Sequence, residues 1–298
     1  MTWIWLAIAA HFCWAVVNVG DKYVVSSRVR SPYVYMIWLS FLGLLAVFII
    51  PFIQFEIPDQ PLMFLIALGG ALYFFGGLPY IKAMQIEDVT RINVWWSFIP
   101  LFTLAIGWFT IDEKLNLQQL FAFFLLVGGA VFASMRWKQN GLKFSKAIWL
   151  MMTATLAYSI YGVIVRYSSQ IISFASVFVW VHVFLGLFAV ASLSIPFLKK
   201  DFLEESRRAG KGLWGIVLGI SMFDHVGILF STWALSLGPV AIVFAMEGFQ
   251  ALFVFLMAMG ISAFTPISLE KDLDKYNIMF KILALTLMIG GIWMLNVG

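Results

Sequence analysis

The residues best able to do chemistry in this sequence are polar groups that interrupt long apolar stretches. Asp224 and His225 stand together near the middle of one stretch, and Glu247 and Gln250 lie one helical turn apart in the next. A carboxylate in such a surrounding can bind a cationic group or take up and release a proton, and a histidine beside it can join a proton relay. The structural alternative is that these groups only form hydrogen bonds between helices.

Three other apolar stretches carry polar faces, because their polar and aromatic residues recur at helical spacing. The faces comprise His11, Trp14, Asn18 and Asp21 in the first stretch, Asn93, Trp96 and Pro100 in the fourth, and Thr155, Tyr158, Gly162 and Arg166 in the sixth. Aromatic rings beside a carboxylate suit ammonium groups through cation–π attraction. We therefore expect Trp96 and Tyr158 to wall a cationic site at which Glu247 or Asp224 binds the ligand or a coupling proton.

Charged residues near the ends of the stretches are predicted to have gating or structural roles. Asp21 and Lys22 can form an ion pair at the membrane interface, or Lys22 can extend its ammonium group toward water. Arg91 belongs to a charged turn, and Arg166 ends the sixth stretch. His182 has no other strongly polar residue close to it in sequence, so we expect it to serve packing.

The elements that must position these residues are membrane-spanning helices. Apolar residues make up 62% of the 298 residues and charged residues only 11%, whereas a soluble domain is about 25% charged. Ten continuous apolar stretches are long enough to cross the hydrocarbon core as helices, and they do not alternate as barrel strands would. The stretches lie at 3–25, 32–52, 62–85, 91–111, 118–136, 147–166, 174–196, 212–237, 240–262 and 279–297. The sequence therefore predicts an all-α integral membrane protein.

Basic residues determine the predicted orientation. When each loop is numbered by the helix that it follows, the odd loops and adjoining helix ends hold 17 of the 19 Lys and Arg residues. The positive-inside rule places these odd loops in the cytoplasm and both termini outside. Because the basic residues serve topology, no nucleic-acid partner is expected. We expect a multi-pass protein of the inner (plasma) membrane, in contact with the lipid bilayer, as a monomer or a homodimer.

Cysteine and motif content argue against a metal, cofactor or catalytic site. The single Cys13 cannot form an internal disulfide, and no Cys/His cluster has the spacing of a metal site. No nucleophile motif accompanies Asp224 and His225. We therefore expect a protein that is not an enzyme and has no metal or cofactor, with an intramembrane enzyme or a channel as less favoured alternatives.

The sequence repeats itself weakly but in a conserved order along the chain. At an offset of 144 residues, Ile4-Trp5-Leu6, Trp14 and Lys22 align with Ile148-Trp149-Leu150, Tyr158 and Arg166, and later residues align at an offset of 151. The repeat predicts a first five-helix half at 1–137, a basic linker at 138–146 and a second five-helix half at 147–298. Because five is odd, the second half enters the membrane from the opposite side. Such inverted repeats are typical of secondary transporters with a site near the membrane midplane.

One part of this pattern resembles a known family. Its residues are Pro100, then Asp112-Glu113-Lys114-Leu115-Asn116-Leu117-Gln118-Gln119, then Gly128-Gly129, and they are similar to the signature of EamA-type transporters of the drug/metabolite transporter superfamily. The resemblance extends over nearly the whole chain but fades in the second half, where Phe264 stands at the position equivalent to Glu113. It implies two five-helix domains around a central cavity lined by helices one, three, four, six, eight and nine. Many family members have cytoplasmic termini, the reverse of the orientation that the charges predict here.

The resemblance and the polar faces together predict a secondary transporter that moves a small organic solute by alternating access. An amine, an amino acid or another cationic or zwitterionic metabolite is the favoured solute, and the proton is the candidate coupling ion. The alternative is an exchanger or exporter of anionic, phosphorylated or nucleotide-type metabolites, for which Arg91 and Arg166 would be the binding residues.

Overall fold

The protein is a bundle of helices, described here by a computed structural model that covers residues 2–87, 89–135, 147–264 and 275–297. Side chains at positions 90, 91, 261–264, 275, 277 and 297 lie outside this description. The helices are α1 (Thr2–Ser27), α2 (Pro32–Gly43), α3 (Gln60–Ile86), α4 (Val89–Trp96), α5 (Ile99–Thr110), α6 (Leu117–Ser134), α7 (Ala147–Ser168), α8 (Phe174–Ser192), α9 (Pro196–Arg208), α10 (Lys211–Leu237), α11 (Val240–Ala245), α12 (Glu247–Phe264) and α13 (Lys275–Val297), and a 3₁₀ helix at Leu44–Phe52 continues α2. No strand occurs within the covered ranges.

Ten spans within the described residues are long and apolar enough to cross a membrane, which agrees with the predicted number. Each predicted stretch coincides with one of these spans to within a few residues at either end. Eight spans are built around a single α-helix, whereas the fourth combines α4 with α5 and the ninth combines α11 with α12. The chain is therefore a multi-pass membrane protein.

The fourth and ninth spans are broken, whereas the sequence predicted continuous helices. The fourth is interrupted at Ser97 and Phe98, just before Pro100, which has no N–H to donate into the preceding turn. The ninth is interrupted at Met246, so Glu247 becomes the first residue of α12. The free N–H groups at the start of a helix carry partial positive charge and favour a carboxylate there.

A helix that the sequence did not predict lies between the seventh and eighth spans. This helix, α9, begins at Pro196, a residue favoured in the first turn of helices. It packs against α2, where the rings of Phe202 and Phe41 are 6.0 Å apart and the Trp38 indole N–H donates to Ser206 Oγ at 3.0 Å. The many charged residues of this segment predict a loop, but its apolar residues lie at helical spacing and form a surface helix.

The closest packing joins helices of the two predicted halves. α1 packs mainly against α10, α3 against α7, and α6 against α13. Between α6 and α13 the approach depends on glycine, since a Cβ at Gly129 would lie 2.5 Å from Met288 Cγ and one at Gly291 would lie 2.9 Å from Leu126 Cγ. Small residues permit such contacts in membranes, where dispersion between close backbones replaces much of the hydrophobic driving force.

The predicted division into two halves stays a prediction at its boundary. Helix α6 ends at Ser134 and α7 begins at Ala147. The predicted basic linker at 138–146 lies outside the described residues. The helices on either side of it belong to one bundle, because their main contacts are with helices of the other half.

Candidate functional site

A cavity lies between the helices near the centre of the bundle. Its lining comes from spans one to four and six to nine, so spans two and seven contribute in addition to the six that the family resemblance implies. The space that no protein atom fills measures about 830 Å³ with its open mouth included, which is in the range of small-molecule sites. Several lining residues lie nearer to the odd-loop ends of their helices than to the even-loop ends, among them Asn18, Asp21, Met36, Ser40 and Tyr80.

Most of the predicted site residues meet at this cavity. Its lining includes Trp14, Asn18, Asp21, Trp96, Tyr158, Asp224, His225, Glu247 and Gln250. Two more predicted residues stand directly behind the lining. His11 Nδ1 lies 3.2 Å from Gln250 Oε1, and Asn93 Oδ1 accepts a hydrogen bond from Asn18 Nδ2 at 3.0 Å. Residues of five separate spans thus converge on one space, while their functional roles stay predictions.

Asp21 faces the cavity, and the expected ion pair with Lys22 is absent among the described contacts. Its Oδ1 accepts a hydrogen bond from the Tyr35 hydroxyl at 2.6 Å, and its Oδ2 accepts one from the Tyr80 hydroxyl at 2.9 Å. No sequence pattern points to Tyr35, because a tyrosine near a helix end is typical of a membrane-interface anchor. Asp21 therefore joins the first three spans beneath the cavity and is not a gate at the membrane surface.

The same network continues into the fourth span. The Tyr80 hydroxyl also lies 2.7 Å from Asn18 Oδ1, Asn18 donates to Asn93, and Asn93 Nδ2 donates to the Val89 carbonyl at 3.0 Å. The connected groups belong to α1, α3 and α4. Since each donor has an acceptor, the network fixes the wall of the cavity on this side.

The hydroxyl of Tyr35 provides a test of this network. Tyr35→Phe should lower the free energy of unfolding by about 1–3 kcal/mol, because it leaves one oxygen of the buried Asp21 carboxylate without a donor. Thermal unfolding of the purified protein in detergent measures the loss. Tyr33→Phe is the matched control, since Tyr33 is 40% exposed. Equal stabilities of the two variants would contradict the network.

Asp224 is the acidic residue that opens most directly onto the cavity. Its Oδ1 accepts a hydrogen bond from the Tyr73 hydroxyl at 3.0 Å, and its Oδ2 lies 4.0 Å from His225 Nδ1. About an eighth of the side chain remains exposed, at 12%. Asp224 is thus held by Tyr73 and by the Trp14 side chain, and its carboxyl group remains partly exposed to the cavity.

His182 does more than pack, in contrast to the role expected from the sequence. Its Nε2 lies 3.3 Å from His225 Nδ1, and its own Nδ1 lies 2.7 Å from the Phe178 carbonyl. A carbonyl only accepts, so His182 Nδ1 carries a hydrogen, and in a neutral pair His225 Nδ1 donates to His182 Nε2. The far nitrogen of His225 lies 3.1 Å from Ser221 Oγ. This chain of hydrogen bonds ends at a backbone carbonyl, so it orients His225 and offers no path across the membrane.

Glu247 has the sparsest set of partners among the acidic residues of the cavity. Its Oε2 lies 3.8 Å from His11 Nδ1. Its Oε1 is buried and has no hydrogen-bond partner among the described residues. The other nitrogen of His11 lies 3.3 Å from the Val243 carbonyl, just before the break in the ninth span. The helix break therefore presents an unsatisfied carboxyl oxygen at the cavity.

A continuous row of aromatic rings forms one wall. Neighbouring ring centroids are 5.1 Å apart for Tyr80 and Trp96, 5.4 Å for Trp96 and Tyr158, 5.0 Å for Tyr158 and Tyr73, and 5.1 Å for Tyr73 and Tyr161. The Trp96 indole N–H is buried and unpartnered among the described residues. The sequence identifies these aromatics, but only the fold shows that they form one surface.

The charge of the lining is acidic. Asp21, Asp224 and Glu247 all line the cavity, and no Lys or Arg does so in the described part of the chain. Three carboxyl groups in one low-dielectric space repel one another when ionised, so cations or protons are needed to neutralise them. The same described part contains no group of three His, Cys, Asp or Glu side chains that could hold a metal ion.

Lys22, for which the sequence predicts a gating or structural role, caps the C-terminal end of α3 and does not line the cavity. Its ammonium group donates to the carbonyls of Met84 and Glu87, each at 2.8 Å. These carbonyls lie at the end of α3, where the last C=O groups of a helix need outside donors. Lys22 therefore ties the end of α1 to the end of α3 on the odd-loop side. The side chain of Arg91, predicted to act nearby, lies outside the described residues.

Arg166 forms a corresponding tie on the even-loop side. Its Nε donates to Glu113 Oε2 at 2.8 Å, and its Nη1 donates to the carbonyls of Leu235 and Ser236 at 2.8 and 3.2 Å. Glu113 Oε1 in turn accepts the Val240 N–H at 2.7 Å. We call Arg166, Glu113 and these backbone groups the even-side latch. It joins the end of α7 to the α5–α6 turn and to the α10–α11 turn.

A left-handed turn aims Glu113 at this latch. Asp112 has a φ of 51°, a conformation that Asp tolerates better than most residues. The turn lets the Glu113 N–H donate back to the Gly107 carbonyl at 3.1 Å, which ends α5. Glu113 belongs to the family-like stretch in the sequence, but nothing in the sequence alone assigns Arg166 as its partner.

Several contacts recur at the offsets of the sequence repeat. Lys22 and Arg166 align at 144 residues, and the carbonyls of Met84 and Leu235 that they bind align at 151. The first helices of the two broken spans, α4 and α11, also begin 151 residues apart. These paired features are what an internal duplication would produce.

In the described part of the chain, ten membrane-spanning segments, eight of which line an acidic, aromatic-walled cavity, define an integral membrane protein. Residues 1–135 match the family model described as the EamA-like transporter family, and this match places the protein in the drug/metabolite transporter superfamily. Membership indicates a membrane transporter and points away from an enzyme.

Comparison of whole structures gives a likeness along the full chain. A solved structure described as "Crystal structure of protein" covers 99% of this chain and 96% of its own, with a TM-score of 0.68 and 13% sequence identity. At this identity the likeness concerns the fold alone. The comparison with curated proteins gives no match.

Proposed function

We propose that the protein is a secondary transporter of a small cationic or zwitterionic solute, such as an amine or an amino acid. The observation that carries this proposal is the charge of the cavity. Three carboxyl groups line it, and in the described part of the chain no Lys or Arg does. A positively charged group on the solute would neutralise a lining that is otherwise unfavourable.

Asp224 is the proposed anchor of the positive group. Its partly exposed carboxyl group lines the cavity, and Tyr73, Tyr158 and Tyr161 form adjoining parts of the aromatic wall. Aromatic faces beside a carboxylate favour ammonium groups, most strongly where water is excluded. The unpartnered Trp96 N–H can donate a hydrogen bond to a carboxylate or carbonyl oxygen of the solute, which is why zwitterions are included.

Anionic, phosphorylated and nucleotide-type metabolites are the alternative. That hypothesis depended on Arg91 and Arg166 as binding residues. Arg166 does not line the cavity, and its guanidinium is engaged by Glu113 and two carbonyls. The acidic lining therefore favours the cationic class. A channel or an intramembrane enzyme has less support, because the family match indicates a transporter.

Alternating access of two inverted five-helix repeats is the mechanism that we propose. Spans four and nine are broken at related positions, and broken helices commonly form the midplane sites of secondary transporters. The repeat-related ties of Lys22 and Arg166 support the same arrangement. The even-side latch would then open when the cavity faces that side. The inner (plasma) membrane and an outward position of both termini are part of this proposal.

A thermal-shift screen tests the substrate class. The panel contains amines, amino acids, quaternary ammonium compounds, nucleosides and phosphorylated metabolites, each added to purified protein in detergent. A ligand that binds only the folded state raises the melting temperature by mass action. Amines or zwitterions should stabilise the native chain, and Asp224→Asn should remove the shift.

Asp201→Asn is the matched control for this screen, since Asp201 lies on α9 outside the cavity. It should leave the shift intact. Stabilisation by anions alone would overturn the cationic class. Whichever compound stabilises the protein, saturable counterflow of that compound in liposomes would distinguish a transporter from a channel.

A further inference from the structure

Glu247 differs from the other two carboxyl groups of the cavity in its hydrogen bonds. Asp21 accepts two tyrosine hydroxyls and Asp224 accepts one. Glu247 Oε1 is buried without a partner among the described residues, and Oε2 has only the nearby ring of His11. Burial of an ionised carboxylate without donors costs free energy, whereas a protonated carboxyl group is neutral. Glu247 is therefore the carboxyl group best placed to hold a proton.

His11 is positioned to share that proton. Its Nε2 lies 3.3 Å from the Val243 carbonyl, which only accepts, so Nε2 carries the hydrogen. A neutral ring then has its lone pair on Nδ1, which lies 3.2 Å from the amide of Gln250 and 3.8 Å from Glu247 Oε2. The Gln250 amide can present its nitrogen to this lone pair, since its oxygen and nitrogen have the same shape.

We propose that Glu247 and His11 together bind one proton, at a site separate from the cation anchor at Asp224. When the site is loaded, the Glu247 carboxyl group carries the proton and, after a small side-chain rotation, donates it in a hydrogen bond to the Nδ1 lone pair of His11 in place of the Gln250 amide. Unloading breaks the carboxyl O–H bond, leaves the carboxylate, and passes the proton to water in the cavity that Glu247 lines. Nothing is oxidised or reduced in this step.

The ionisable groups around the pair come from a few elements. α1 supplies Asp21 beyond His11, α7 supplies Tyr158, and α10 supplies Asp224. α6, which packs against α12, contains no ionisable side chain. α13 supplies Lys281, whose ammonium group donates to carbonyls at the end of α6. No Lys or Arg in the described part of the chain forms an ion pair with Glu247, so a bound proton is what neutralises it.

The proton site and the cation anchor are linked by charge. A cation at Asp224 disfavours a proton in the same cavity, so binding of the cation releases the proton. By reciprocity, protonation of Glu247 weakens binding of the cation. If each bound cation releases one proton, the cation binds about tenfold tighter for each unit by which the pH rises. The predicted transport mode is exchange of a cation for a proton. This mode rests on the proposed function, whereas the proton site itself does not.

Nuclear magnetic resonance of the histidine rings tests the site without any solute. The chain contains only three histidines, so ¹⁵N-labelled rings can be assigned by single substitutions in protein held in lipid nanodiscs. A pH titration of the native chain should show one transition in the Nδ1 signal of His11. Glu247→Gln should abolish this transition, and Glu247→Asp should restore it at a changed midpoint.

Asp224→Asn is the control that separates the two sites, because it should leave the transition of His11 in place. The signals of His182 report whether each variant is folded. Persistence of the transition in Glu247→Gln, or an invariant His11 signal in the native chain, would overturn the proposal. Loss of the transition in Asp224→Asn alone would assign the proton to Asp224 instead. A failed solute screen would leave this result unaffected, so the two proposals fail separately.

Discussion

Arg166→Met is expected to lower the free energy of unfolding by about 3–5 kcal/mol, the cost of breaking a buried ion pair by removing one partner. The side chains of Arg166 and Glu113 are only 15% and 13% exposed. Without the guanidinium, Glu113 keeps the Val240 N–H as a donor but loses its positively charged partner. The carbonyls at the end of α10 lose their hydrogen-bond donor. Reversible unfolding in mixed micelles measures the change.

The α5–α6 turn, which contains Glu113, also contains the control for this experiment. Lys114 and Asp112 form an ion pair at 2.6 Å, but their side chains are 55% and 80% exposed. Exposed pairs contribute about 0–1 kcal/mol, so Lys114→Met should change stability little. Similar losses of unfolding free energy for Lys114→Met and Arg166→Met would show that the buried latch stabilises the fold no more than an exposed ion pair does.

A double variant separates the ion pair from its desolvation cost. Replacement of both Arg166 and Glu113 by apolar residues removes the unpaired charge, so it should recover part of the stability that Arg166→Met loses. The coupling energy from this cycle measures the pair directly. Additive losses would contradict a direct interaction between the two side chains.

The sequence predicts the spans well because membrane helices obey a simple rule of length and apolarity. It fails where the backbone departs from that rule. Pro100 gives a local reason for the break in the fourth span, but Met246 gives none for the break in the ninth. The helix α9 was missed because its charged residues outweigh the spacing of its apolar ones.

The candidate site was predictable to the extent that it follows helical periodicity. Asn18 and Asp21 share a face, and both line the cavity as that spacing requires. What connects them to other helices was not predictable, because Tyr35 donates across a turn and Glu113 reaches Arg166 over 53 positions. Such contacts depend on the packing of whole helices, which no local pattern encodes.

Gly248 is the position where an added methyl group should disturb the site most. A Cβ there would lie 2.4 Å from Met288 Sδ and 2.9 and 3.0 Å from the Cα and N of Ala130. The methionine can move, but the backbone of α6 cannot yield without separating α6 from α12. Overpacking of this kind costs about 1–3 kcal/mol, so Gly248→Ala should lower the free energy of unfolding despite the better helix propensity of alanine.

Gly260→Ala is the matched control on the same helix, because a Cβ at Gly260 would meet nothing within 4 Å. The gain in helix propensity is about 1 kcal/mol, so this variant should be as stable as the native chain or more so. Thermal unfolding in detergent compares the two. Equal effects of the two variants on stability would show that α6 and α12 are not in close contact.

Because Gly248 follows Glu247, displacement of α12 by Gly248→Ala should also shift the His11 ring signals, whereas Gly260→Ala should leave them unchanged. Stability and the proposed proton site therefore depend on the same close approach of two helices.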